Sequence, residues 1–200
     1  PCFDWWEESS ERVHVSTLGC IAAGLEAVGG AERVVADIRA LIAAEGTVDG
    51  HLAKWLGSHE VDASLLSVIA PLGVVAASDP VGAATIAAVE AELSVDGGVH
   101  RYRADTFFGG GQWPLLSCFL GLAFEASGDR DRALDQLAWA AGTADAAGAM
   151  PEQVDGHLLD PAREQEWVDR WGPVARPLLW SHATYIRLAV QLDVVEGIGA

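Results

Sequence analysis

One lysine, one methionine and three cysteines are all that 200 residues contain of those types. The cysteines, Cys2, Cys20 and Cys118, are odd in number and show no CxxC spacing, so neither a disulfide framework nor a zinc site is indicated. Free cysteine behaves as a small, burial-prone hydrophobe. Reduced, mostly buried thiols and a cytoplasmic location are therefore expected. The six histidines form neither an HxxxH nor an HxH pattern, which removes the usual ligands of a catalytic metal. No metal and no cofactor is expected. Long hydrophobic runs are also missing. The stretch from Leu65 to Ala77 is interrupted by Ser, Pro and Gly and falls short of a membrane span. No targeting segment is visible. The chain opens on Pro1-Cys2-Phe3 without a Met, as a piece of a longer protein would. Positive charge is scarce, with 12 Lys and Arg against 29 Asp and Glu and a net charge of −17. That balance argues against nucleic acid and anionic membranes as partners. It fits an acidic surface of the kind used in concentrated salt, and equally a high-GC codon bias that turns Lys into Arg.

What is present is apolar and helical. Half the residues are hydrophobic, and the length suits one domain with a sizeable core. Val13 to Val28 carries Leu18, Ile21, Ala22 and Leu25 on one face before Gly29-Gly30 stops it. Ala31 to Glu45 repeats the pattern with Val34, Val35, Ile38, Leu41 and Ile42. Thr47 to Glu60 is irregular and reads as extended or looped. Asp62 is placed to cap Ala63 to Ile69, which Pro71-Leu72-Gly73 ends. Asp79-Pro80 opens the next helix and Gly97-Gly98 closes it. Trp113 to Ala126, Arg130 to Ala147 and Trp180 to Leu192 complete seven predicted helices. Between the last two, Gly148 to Pro177 reads as a long loop, a length that usually carries function. Short turns predict antiparallel helix pairs. No repeat of 20–50 residues is evident, which disfavours a uniform solenoid.

Four clusters of aromatic and charged residues fall in the long connections. They are Asp4-Trp5-Trp6-Glu7-Glu8, the run Arg101 to Trp113, Met150-Pro151-Glu152-Gln153, and Pro177 to Ala183. Glu7 and Glu152 each sit where a reactive carboxylate is useful, beside flat apolar rings or just past a helix. One carboxylate to protonate a leaving oxygen and one to activate water is the minimal kit for cleaving a glycosidic bond. Arg101 offers a planar fork of donors for vicinal hydroxyls, and Asp105 can accept from them. Gly109-Gly110-Gly111 lets backbone approach a ligand closely. It lacks the Lys and Ser/Thr of a phosphate loop. Each cluster also has a plainer reading. Acids decorate helix N-termini, a Gly run makes a flexible turn, Trp113 and Trp180 serve as core anchors, and His182 packs or hydrogen-bonds within its helix.

Order and spacing add what single clusters lack. The set resembles glycoside hydrolase family 15, the glucoamylase and glucodextranase family. Asp4-Trp5-Trp6-Glu7-Glu8 is similar to its catalytic-acid motif, and Pro151-Glu152-Gln153 is similar to its catalytic-base motif. Asp79-Pro80, Arg101-Tyr102 with Asp105-Thr106, the Gly run before Trp113 and Leu179 to Ala183 extend the match over nearly the whole chain. The resemblance implies an all-α fold, part of an (α/α)6 barrel, with the predicted helices as the sixth to twelfth of twelve. It implies an inverting exo-acting α-glucan hydrolase that releases β-glucose from non-reducing ends. Glu7 would be the general acid and Glu152 the general base. Trp6, Glu8, Arg101, Tyr102, Asp105, Trp113, Gln153 and Trp180 would hold the α-glucan or oligosaccharide. Phe107 stands where some relatives have Tyr. Inversion needs the two carboxyl groups about 6.5–9.5 Å apart. The first five helices and an early Arg-Asp motif have no counterpart here, so residues 1–200 would form the C-terminal part of such a domain and show little activity alone. The alternatives are a trehalase of the same family and a non-catalytic carbohydrate-binding helical protein.

Overall fold

A computed structural model describes residues 1–195. They form two compact units, Pro1–Val89 and a second from Glu90 onward, with the boundary inside a helix.

In the first unit, α1 (Val15–Val28) and α2 (Glu32–Glu45) pack against each other across a three-residue glycine turn. Their inward positions, Val15 and Ala22 on α1 and Val35 and Ile42 on α2, recur every seven residues. These four side chains meet Leu52, Leu65 and Val68 in one buried cluster. The irregular stretch after α2 is a hairpin of β1 (Thr47–Val48) and β2 (His51–Leu52). Its turn residues Asp49 and Gly50 have φ of 50° and 88°, the left-handed pair that an Asp-Gly hairpin turn requires. Asp62 caps the next segment as expected, accepting from the Ser64 N–H at 2.8 Å. That segment begins as a 3-10 turn, Ala63–Leu65, before α3 (Leu66–Ile69). α4 (Pro80–Leu93) starts at the proline, with Asp79 accepting from the Val81 N–H.

The second unit is organised on α5 (Pro114–Ala126), where every residue from Pro114 to Phe124 is buried. A helix apolar on all sides must be surrounded, and α6 (Arg130–Gly142) and α8 (Leu179–Gln191) pack on it. At Gly121 an added Cβ would lie 2.6 Å from Leu188 Cδ2, so the glycine sets how closely α8 approaches. Before α5 come β3 (Ser94–Val95), β4 (Gly98–Val99) and a 3-10 turn at Phe107–Gly109.

Among the described residues the fold is all-α apart from these two small hairpins, as expected, but it has eight α-helices rather than seven. The eighth, α7 (Pro161–Trp171), lies inside the expected Gly148–Pro177 loop. None of its residues is fully buried; its one-sided face is short, with Glu164, Trp167 and Val168 half-buried, and it is flanked by Pro, Gly and Asp that read as loop. α6 ends at Gly142, short of Ala147, because Asp145 draws the Ala147 and Ala149 N–H groups into a tight turn at 2.9 Å each. α4 ends at Leu93 because Asp96-Gly97 makes a second hairpin turn, φ 50° and 90°. Thus a 14-residue helix followed by a Val-Asp-Gly hairpin occurs twice, after α2 and after α4. Of the thiols expected to be buried, Cys118 is buried and Cys20 half-buried, whereas Cys2 is exposed. No helix among the described residues is long and apolar enough to cross a membrane.

Candidate active site

The expected acid, Glu7, stands on a loop closed by Asp4. One carboxylate oxygen of Asp4 accepts from the N–H groups of Trp6 at 2.9 Å and Glu8 at 2.8 Å. The Asp4 N–H donates to the Glu8 carbonyl at 3.2 Å, completing the ring of bonds. Glu7 at the apex has a φ of 61° and an exposed side chain; Glu8 is half-buried. A non-glycine residue with positive φ is uncommon and persists only where its surroundings enforce it. Two anchors do so. The Trp6 ring is buried and its indole N–H points at both Asp62 oxygens, at 3.2 and 3.0 Å. Asp62 in turn receives Lys54 Nζ at 3.3 Å, and both side chains are almost fully buried. On the other flank, the buried His14 donates from Nε2 to the Ser9 carbonyl at 3.0 Å. Asp4, Asp62, Lys54 and His14 were not singled out from the sequence for this site. Asp4 carries a local signal, an Asp two residues before the N–H it can accept from, and Asp62 one for its cap but none for its bond to Trp6; Lys54 and His14 carry none.

In the second unit the structure brings three of the four clusters together. Arg101 and Asp105 form a buried ion pair: Arg101 Nε donates to Asp105 Oδ2 at 2.7 Å, and Nη2 donates to Oδ1. Asp105 Oδ1 also accepts from the Phe107 N–H at 2.9 Å. The guanidinium is ringed by aromatic faces, with its centre 5.1 Å from Phe107 and 5.5 Å from both Tyr102 and Trp113. Such contacts stabilise a desolvated cation. Trp113 is buried, while Trp180, at the start of α8, is 37% exposed.

Glu152 projects from a loop that is fastened on every side. Its N–H donates to the Ala175 carbonyl at 2.9 Å. The Ser181 hydroxyl donates to the Pro151 carbonyl at 2.8 Å, and the Met150 N–H donates to His182 Nε2 at 3.0 Å. His182 therefore reaches back to this loop rather than bonding within its own helix. Val154 and Gln112 exchange N–H···O bonds of 2.8 and 3.1 Å. The buried Gln153 amide is a strut: it accepts from the Gly111 N–H at 2.7 Å and donates to the Phe107 carbonyl at 3.1 Å. Gly111 has no room for a side chain, since a Cβ there would lie 2.4 Å from the Val154 carbonyl oxygen. The buried His100 completes the loop, bonding the Gly110 carbonyl from Nδ1 at 2.9 Å; burial lowers its pKa, against the opposing pull of that bond.

Partial burial pushes the Glu152 carboxyl above its ordinary pKa, and the nearby Arg101 charge opposes that shift. A carboxylate that is half-buried, held by its backbone and balanced by one cation suits proton transfer. α7, unseen in the sequence, covers the same loops. Its Trp167 ring lies 4.9 Å from Phe107 and 6.0 Å from Phe108.

No family model matches the chain. Over 98% of its length it is 54% identical to an isomaltose glucohydrolase from Kribbella flavida, of which it spans 54%. It superposes on a solved glycosidase structure in complex with glucose, a Glu→Ala variant, with a TM-score of 0.96 and 53% identity over 98% of this chain and 56% of the other. A bacterial glucoamylase complexed with acarbose shares the fold at a TM-score of 0.64 and 22% identity, over 90% of this chain and 32% of that one. The chain thus spans about half the length of the curated relative it matches.

Proposed function

We propose that these residues belong to a glycoside hydrolase of the family 15 type that releases glucose from small α-glucosides. The observation that carries this reading is the Glu152 loop. A half-buried carboxylate beside Arg101 is fastened by four separate backbone anchors, in a chain 54% identical to an isomaltose glucohydrolase. The solved glycosidases include one Glu→Ala variant holding glucose and one Phe→Tyr variant. The two substituted positions are separated by the same number of residues as Phe107 and Glu152 here. That spacing supports pairing Glu152 with the substituted glutamate of that glycosidase.

In the proposed reaction Glu7 gives its proton to the glycosidic oxygen as the bond to C1 breaks. Glu152 takes a proton from a water that attacks C1 from the opposite face, so the product leaves as β-glucose. Arg101, Tyr102, Glu8 and Trp180 meet the sugar, with Trp6 and Trp113 as apolar walls. Asp105 and Gln153 act on it indirectly, since their bonds hold Arg101 and the 107–111 backbone. The free thiols are the ground for placing the protein in the cytoplasm.

The test uses the full-length protein on isomaltose, maltose and trehalose, following the anomer first released by NMR. Isomaltose hydrolysis with β-glucose appearing first is expected. Initial α-glucose would overturn the inverting mechanism, and a clear preference for trehalose would overturn the substrate assignment. The 200-residue chain alone is expected to release little or no glucose.

A further inference from the structure

Lys54 is the one lysine in a chain whose other permanently charged basic side chains are all arginine. It is also buried, 5% exposed, where an ammonium ion is costly unless paired. Its partner Asp62 is 1% exposed and serves three donors at once: Lys54 Nζ, the Trp6 indole N–H and the Ser64 N–H. Lys54 is itself fixed by backbone bonds, donating from its N–H to the Glu60 carbonyl at 2.9 Å and accepting from the Val15 N–H at 3.3 Å. A compact ammonium suits this corner better than the wide guanidinium fork. The chain of contacts runs from a buried charge pair, through the Trp6 ring, to the residue that follows Trp6, Glu7, whose backbone is held at a φ of 61°. The pair also has a packing consequence. Without Lys54, Asp62 would be a buried carboxylate lacking this counter-charge, and the side chain that fixes the Trp6 indole would lose its own anchor.

We propose that Lys54 and Asp62 are positioning residues for the acid Glu7, acting through the indole N–H of Trp6. The inference rests on the reading of Glu7 as general acid. It assigns to a buried ion pair the task of aiming a carboxyl group at the leaving oxygen. A loop carboxyl misplaced by about 1 Å costs on the order of 100-fold in rate. The loss should fall on substrates whose leaving group needs a proton and spare those whose leaving group does not.

The experiment uses the full-length protein with Lys54→Met, Trp6→Phe (ring kept, N–H removed) and Glu7→Gln. Each is assayed on isomaltose and on α-glucosyl fluoride, whose fluoride leaves without protonation. Near-ultraviolet circular dichroism checks folding; should Lys54→Met not fold, Trp6→Phe decides. Lys54→Met is expected to lower kcat on isomaltose on the order of 10- to 100-fold with KM nearly unchanged and to hydrolyse the fluoride at close to the unsubstituted rate, and Trp6→Phe, whose ring also lines the sugar site, is expected to lose on the order of 10-fold or more in kcat on isomaltose beyond whatever it loses on the fluoride. The double variant should lose little more than either single one, because both changes break the same chain. Equal losses on both substrates, or no loss on isomaltose, would overturn the inference. Glu7→Gln separates the two readings. Loss on isomaltose with retention on the fluoride supports Glu7 as the acid, whatever Lys54 does. Full isomaltose activity in Glu7→Gln would remove the acid reading and this inference with it.

Discussion

The Ser181 hydroxyl, on the first turn of α8, donates to the carbonyl of Pro151, the residue immediately before Glu152. The last helix thus holds the position of the proposed base through one buried bond. Replacing Ser181 with Ala leaves that carbonyl without this donor. A loss of about 1–3 kcal/mol in unfolding free energy is expected in the full-length protein, measured by urea titration. Because the bond also sets the Glu152 backbone, kcat should fall along with stability.

Glu152 should leave its mark on the pH profile. Burial raises its pKa, and a base works only as the carboxylate. Activity is therefore present above that pKa and lost as pH falls through it. The acid limb of kcat/KM in the full-length protein should lie at higher pH than an ordinary glutamate would give. Arg101 opposes the shift, so Arg101→Met should move the limb further up. Glu152→Gln should remove the limb and lower kcat by orders of magnitude.

Asp105→Asn tests the buried pair from its other side. The substitution leaves the Arg101 charge buried without its anion, a change that costs about 3–5 kcal/mol. The urea midpoint of the full-length protein should drop accordingly. In the surviving folded fraction KM should rise, because a guanidinium no longer gripped at two oxygens does not present a fixed donor fork.

Two glycine substitutions should part company. At Gly111 a new Cβ would meet the Val154 carbonyl at 2.4 Å and the Gln153 amide oxygen at 2.5 Å, forcing apart the strut and the bridge behind Glu152. Gly111→Ala should cost about 1–3 kcal/mol and depress kcat. Gly24, inside α1, has nothing within 4 Å of the corresponding point. Gly24→Ala should therefore be neutral or stabilise by about 0.5–1 kcal/mol. Thermal melts and initial rates on both variants make the comparison.

The existence of α1 and α2 was legible from their period, and Ala22, Val35 and Ile42 are buried as expected, but Ile21 and Val34, expected on the same faces, are exposed, and Val15 takes the inward position instead. α7 was not, since it is short, buries nothing fully and stands among Pro, Gly and Asp residues that read as loop, although Trp167 and Val168 share its half-buried face. Asp-Gly at 49–50 and 96–97 is a readable hairpin signal; the first falls in the stretch read as extended or looped, and the second within the helix expected to run to Gly97-Gly98. At the site, the residues most easily named from sequence were those with chemistry to offer, Glu7, Glu152 and Arg101. Those that hold them, Asp62, Lys54, His14 and Ser181, lie as far as 56 positions from the residue they touch. No local pattern encodes such pairings; only the fold brings them together. Gln153 shows the same limit from the other side, since its position suggested a ligand contact while both ends of its amide serve backbone.

The seclusion of Lys54 has a practical corollary for solution work. Amine-directed reagents such as succinimidyl esters find no exposed lysine within these 200 residues, because the single ε-amino group is covered and engaged. Acylation at Lys54 therefore requires the loop over it to open. The rate of labelling at that residue, read by peptide mass, becomes a clock for how often the Trp6 anchor lets go.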